Sequence, residues 1–80
     1  MKRREKMSLS EFKADSYGRI KSIAGDVHFA KRITSIGITE GSRFQMVRND
    51  AKMPVLIYCR ESLIAINRDD AGRIEIEAIK

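Results

Sequence analysis

The chain has no tryptophan, one proline, one histidine and one cysteine in 80 residues, and aromatic residues make up 6% of it. Each shortage closes a route. Cys59 has no second cysteine, so no internal disulfide can form, and a lone thiol fits a reducing compartment such as the cytoplasm. His28 and Cys59 are the only soft metal ligands and stand far apart, so no tight metal site and no cofactor is expected. No run of about 18 apolar residues is present, so no membrane-spanning helix is expected. Met1–Met7 has the charge of a signal-peptide start without the apolar stretch that should follow, and no signal peptide is read there.

Catalytic groupings are also missing. A nucleophile needs a base within reach, and His28 has neither an acid nor a nucleophile beside it in the sequence. Asp69 and Asp70 are adjacent in a polar turn, which points them apart and does not suit an acid–base dyad. Gly37 and Gly41 are not followed by the lysine–serine pair of a phosphate loop. Nucleic-acid modules interleave exposed aromatics with basic residues, whereas Phe29 and Phe44 read as core. The composition points to a binding module, not an enzyme.

What is present is one small domain's worth of alternating apolar segments. The net charge is +5. Residues 1–7 hold four basic groups against one acid, and residues 8–80 hold twelve against ten, so the basic excess sits mostly in the leading segment. That segment reads as a flexible basic tail over 1–7, followed by a domain over 8–80. Ser8–Phe12 suggests one turn packed on the domain. Tyr17–Ala24 reads as a strand, and the spacing of three between Ile20 and Ile23 predicts a bulge. Asp26 is an N-cap candidate for a helix with Phe29, Ile33 and Ile36 on one stripe, and Gly37 is placed to end it.

After this helix the turns become tight. Ser42–Arg48 alternates with Phe44 and Met46 on one face. Val55, Ile57 and Cys59 form one face of the next strand. Ile64 and Ile66 mark another, and Ile74 and Ile76 the last. Five short strands at this spacing indicate a small barrel or sandwich.

The run Lys31-Arg32-Ile33-Thr34-Ser35-Ile36-Gly37-Ile38-Thr39-Glu40-Gly41-Ser42 resembles the signature of the ferrous iron transport protein A (FeoA) family. The likeness continues through Pro54–Arg60, Ile64–Arg68, and Ala71 with Ile74 and Ile76, and spans about residues 9–79. Glu61 stands where the family often has glycine. The resemblance implies a mostly β fold, a small SH3-like β-barrel of about five strands with one short α-helix. It also implies a cytoplasmic accessory or regulatory role in bacterial ferrous iron uptake. The implied partner is the cytoplasmic GTP-binding part of the membrane ferrous iron transporter B (FeoB), with no catalysis by the chain itself.

Strand parity adds a candidate surface. If Phe44, Met46, Val55, Ile57, Ile64 and Ile66 face inward, then Val47, Leu56, Tyr58 and Leu63 face outward from three neighbouring strands. Rimmed by Arg43, Arg48 and Arg60, they form a candidate partner-binding patch, unless Leu9 or Phe12 lies across it. Arg32 is a separate candidate for an acidic partner, or a brace for the turn at Glu40. Two other classes remain open at this level: a nucleic-acid-binding SH3-like module, and an interaction module like that of metal-dependent regulators.

Overall fold

Alternation marks five strands, and the described residues form six. In the computed structural model, which describes residues 7–79, β1 covers Met7–Ser8, β2 Tyr17–Ile23, β3 Arg43–Arg48, β4 Val55–Cys59, β5 Ser62–Ile66 and β6 Ile74–Ala78. Neighbours are antiparallel, in the order β1-β6-β2-β3-β4-β5. The small, mostly β fold is as expected, but among the described residues the end strands β1 and β5 are not joined by a ladder, so the six-stranded sheet is not closed into a full barrel. The extra strand was hidden because two residues are too few to alternate. Met7 pairs with Ile76 and packs against the core, so the domain begins one residue earlier than expected. Of the tail expected over 1–7, residues 1–6 lie outside the described residues.

The helix α1 covers Val27–Ser35 and begins as the sequence indicates: the Asp26 carboxylate accepts from the Phe29 amide at 2.9 Å. Its end is a Schellman turn. Gly37, at φ 108°, donates its amide to Thr34 O, and the Ile38 amide reaches Ile33 O at 3.2 Å. This geometry delivers Ile38, not Ile36, to the core. Ile36, expected on the buried stripe, caps the helix and is 43% exposed. A one-turn helix α2, Arg68–Ala71, is capped by Asn67, whose side chain accepts from the Asp70 amide.

One face of the sheet is fully apolar. Ile20, Phe44, Met46, Val55, Ile57, Cys59, Ile64, Ile66, Ile74 and Ile76 are buried together with Phe29, Ile33 and Ile38. The 3₁₀ turn Leu9–Glu11 supplies Leu9, and Phe12 lies against the Phe44 ring at 5.5 Å. β2 carries glycine where this aromatic pair needs space: a Cβ on Gly18 would sit 2.9 Å from the Phe44 ring. The register of β2 on β6 slips between Ile20 and Ser22, the bulge predicted from the spacing of Ile20 and Ile23.

Candidate protein-docking face

The opposite face of the sheet is built by the same alternation. Where Gly18, Phe44 and Cys59 point inward, the next residues of each strand point out. The register places Tyr17 opposite Gln45, Gln45 opposite Tyr58, and Tyr58 opposite Leu63. These four residues form one row across β2, β3, β4 and β5. Tyr17 is 57% exposed, Tyr58 45% and Leu63 62%. Beside the row, Arg19 faces Arg43, and Arg60 begins the β4–β5 turn. Tyr17, Arg43, Gln45, Tyr58, Arg60 and Ile79 line an open groove of about 620 Å³.

The sequence candidates divide accordingly. Tyr58 and Leu63 meet as a cross-strand pair. Val47 and Leu56 lie in the next row. There a bulge between Met46 and Arg48 leaves Val47 out of the pairing and sets Arg48 against Leu56. Val47 is exposed and Leu56 half-buried. Leu9 and Phe12 do not lie across this face, because both are committed to the core on the other side. Tyr17 and Arg19 were missed by parity within β3–β5. Only the pairing of β2 with β3 brings them into line, and the sequence gives no direct sign of that register.

Arg32 does not join this face. Its guanidinium donates to Asp70 at 3.0 Å, the one ion pair among the described residues, and lies over the Phe29 ring at 5.3 Å. The turn residue Glu40 instead accepts from the Ile23 amide. Nearby, Arg68 forms a hub that sequence reading did not mark. It donates to Asn49 Oδ1 and to the carbonyls of Ser10, Asp50 and Met53, at 2.8 to 3.1 Å. Asn49 in turn donates to the carbonyls of Ser10 and Phe12.

The β4–β5 turn holds Arg60 and Glu61 at φ 52° and 67°, left-handed values that cost non-glycine residues of order 1–2 kcal/mol each. Such strain persists only where surrounding structure enforces it. Its effect here is to present Arg60 on the groove beside Tyr58. Cys59, on the inner face, has its thiol pushed above the ordinary 9.0 by burial, against a smaller opposite pull from Arg60. At 1% exposure it packs as an apolar residue of the core. No group of three or more His, Cys, Asp or Glu side chains suited to a metal ion occurs among the described residues. Likewise, no helix there is long and apolar enough to cross a membrane.

Comparison with known proteins gives this arrangement a family. No curated protein matches the chain. The crystal structure of an iron uptake regulatory protein (FeoA) superposes with a TM-score of 0.88 at 24% identity, over 94% of this chain and 100% of that one. The FeoA protein from Chlorobium tepidum gives 0.82 at 24% identity, over 92% and 71%. A manganese-dependent transcriptional repressor gives 0.83 at 16% identity, where this chain spans 42% of the other's length. At these identities the superpositions establish the fold. The family profile of the FeoA domain matches residues 7–78, nearly all that the structure describes, and the chain belongs to the FeoA family of small accessory domains associated with ferrous iron uptake.

Proposed function

We propose that this protein is a cytoplasmic accessory component of ferrous iron uptake. It acts by docking, through the outer face of β2–β5, on the GTP-binding domain of the membrane ferrous iron transporter B. Family membership supports the system, and one observation carries the mode of action. Tyr17, Tyr58 and Leu63 stand exposed in a single row, beside arginines that have no acidic partner among the described residues. Tyrosine suits such a surface, since its ring buries area while its hydroxyl retains a hydrogen-bond partner. Aromatic anchors with arginine beside them are the residue types that dominate binding energy at protein interfaces. The arginines call for an acidic surface on the partner, which they would steer and orient.

The test is Tyr58→Ala, measured for thermal unfolding and for binding to the transporter's isolated cytoplasmic domain. Truncating an anchor of this kind costs about 2 kcal/mol or more, roughly thirtyfold in affinity. The expected result is lost binding with an unchanged melt, because Tyr58 lies outside the core. Unchanged binding would remove this face from the interface. The fold shared with a metal-dependent repressor favours a second reading, an interaction module of the regulator or nucleic-acid type. Binding to DNA with a steep fall in salt, and none to the transporter, would transfer the assignment to that reading.

A further inference from the structure

β5 ends the sheet, and its residues Ser62–Ile66 contain no charge and no proline. Monomeric proteins ordinarily protect an edge strand with lysine, proline or a bulge. β5 has none of these, since its register with β4 runs unbroken from Cys59 and Ser62 to Val55 and Ile66. The direction of its free backbone groups follows from the turn. Positive φ at both Arg60 and Glu61 defines a two-residue type I′ loop, which makes Cys59 and Ser62 the closing hydrogen-bonded pair. Alternation gives the same status to Ile57 with Ile64 and to Val55 with Ile66. Leu63 and Ala65 therefore direct their N–H and C=O groups away from β4, toward the open edge. No backbone hydrogen bond outside the sheet ladders involves either residue among those described.

We propose that this edge pairs with β5 of a second copy of the chain, antiparallel about a two-fold axis at Ile64. The strand is complementary to itself in that register. The axis sets each Leu63 opposite the second copy's Ala65, and these are the residues whose edge groups are free, so each pair exchanges both hydrogen bonds. A slip of one residue would oppose edge-directed groups to groups already bonded to β4. The side chains agree with the register. Leu63 is 62% exposed on the outer face and comes to lie beside the small Ala65 of the other copy. Charge agrees as well. In a chain of net charge +5, the contact strand itself is neutral. The antiparallel arrangement brings the Arg60 turn of one copy level with the start of α2 in the other. Asp69 there is exposed and forms no ion pair among the described residues. The outer row Tyr17, Gln45, Tyr58 and Leu63 then continues into Ala65 and Leu56 of the second copy.

One short strand per copy buries less than the about 1,200 Å² of a stable interface, so the dimer is weak, with half-association on the order of 100 μM. Sedimentation equilibrium of the full chain alone, from about 10 μM to about 1 mM, should show mass rising from monomer to dimer. Ala65→Pro removes an edge-directed N–H at a position outside the β4 ladder, where proline is tolerated. It should stay monomeric throughout, with the wild-type circular dichroism spectrum. Leu63→Lys leaves the backbone intact and should weaken association at least tenfold, which decides the matter if Ala65→Pro does not fold. A wild-type chain still monomeric at about 1 mM overturns the proposal. So does a dimer that both variants leave intact, or one that folded Ala65→Pro retains while Leu63→Lys loses it. The last result would mean contact through the outer face without strand pairing. No transporter is present in this test, so its outcome is independent of the docking assignment.

Discussion

Arginines occupy two regions of this molecule in opposite ways. Around α2, Arg68 has its guanidinium committed to three carbonyls and an amide oxygen, and Arg32 is held by Asp70 over Phe29. On the outer face, Arg43 and Arg60 line a groove with no acid in ion-pair contact among the described residues. The first region fastens the 3₁₀ turn, the loop after β3 and α2 to one another. The second leaves cations on a surface where two tyrosines and a leucine are exposed. Composition alone does not separate these uses. A guanidinium satisfied by backbone carbonyls is a structural tie, and one left over beside exposed aromatics is available for recognition.

The comparison breaks most readily at Arg68. Arg68→Ala removes the guanidinium that ties Asn49 and the carbonyls of Ser10, Asp50 and Met53 together, although Ser10 keeps its bond from Asn49 and Asp50 its bond from the Met53 amide, and should destabilise the protein by about 2 kcal/mol. For a domain of this size that lowers Tm by on the order of 10 °C, measurable by thermal denaturation. A change under about 0.5 kcal/mol would mean that water replaces the arginine without loss, and the region would lose its claim to be structural. Next in size is Glu61→Gly. Glycine adopts the left-handed conformation at φ 67° without the side-chain clash, so the variant should be more stable by about 1 kcal/mol. Denaturant titration checks it, with an unchanged m-value showing that native compactness is kept.

The outer face is partly legible in the sequence, and the reasons for the gap are local. Parity within β3, β4 and β5 followed from alternation of two, so Tyr58 and Leu63 were placed correctly from Phe44, Ile57 and Ile64 alone. Tyr17 was not, because its membership depends on the pairing of β2 with β3 across more than twenty intervening residues. Leu56 obeyed parity yet is half-buried, and the bulge at Val47 sets Arg48 opposite it in the register. The helix was legible in its caps but not in its last apolar residue. The spacing i, i+4, i+7 selected Ile36, while the Schellman turn at Gly37 hands the core to Ile38. The partner of Arg32 was out of reach, because Asp70 comes to it only through tertiary packing of α2.

Arg32 supplies a smaller test of the division. Its ion pair is largely exposed, with Arg32 at 56%, so Arg32→Gln should cost at most about 1 kcal/mol after solvent screening. It should leave affinity for the transporter domain unchanged, because Arg32 lies on the α2 side and not on the Tyr58 row. Titration calorimetry or surface plasmon resonance with that domain reads this directly. A loss of binding equal to that of Tyr58→Ala would join the two regions into one interface.

The smallest effect on stability, and the sharpest on mechanism, is expected from Arg43→Gln combined with Arg60→Gln. Neither guanidinium forms an ion pair among the described residues, so the double variant should unfold within about 0.5 kcal/mol of the wild type. Its effect should appear in association kinetics. Unpaired cations at the edge of an apolar patch steer an acidic partner into encounter, and removing them slows association while the anchored complex dissociates at nearly its former rate. Salt acts through the same field, with a screening length of about 8 Å at physiological ionic strength. The wild-type association rate should therefore fall as salt is raised, and the variant's rate should respond less. A variant that dissociates faster with an unchanged association rate would mean that the arginines make buried contacts in the complex. They would then belong among the anchors with Tyr58, and the partner would have to supply carboxylates placed to meet them directly.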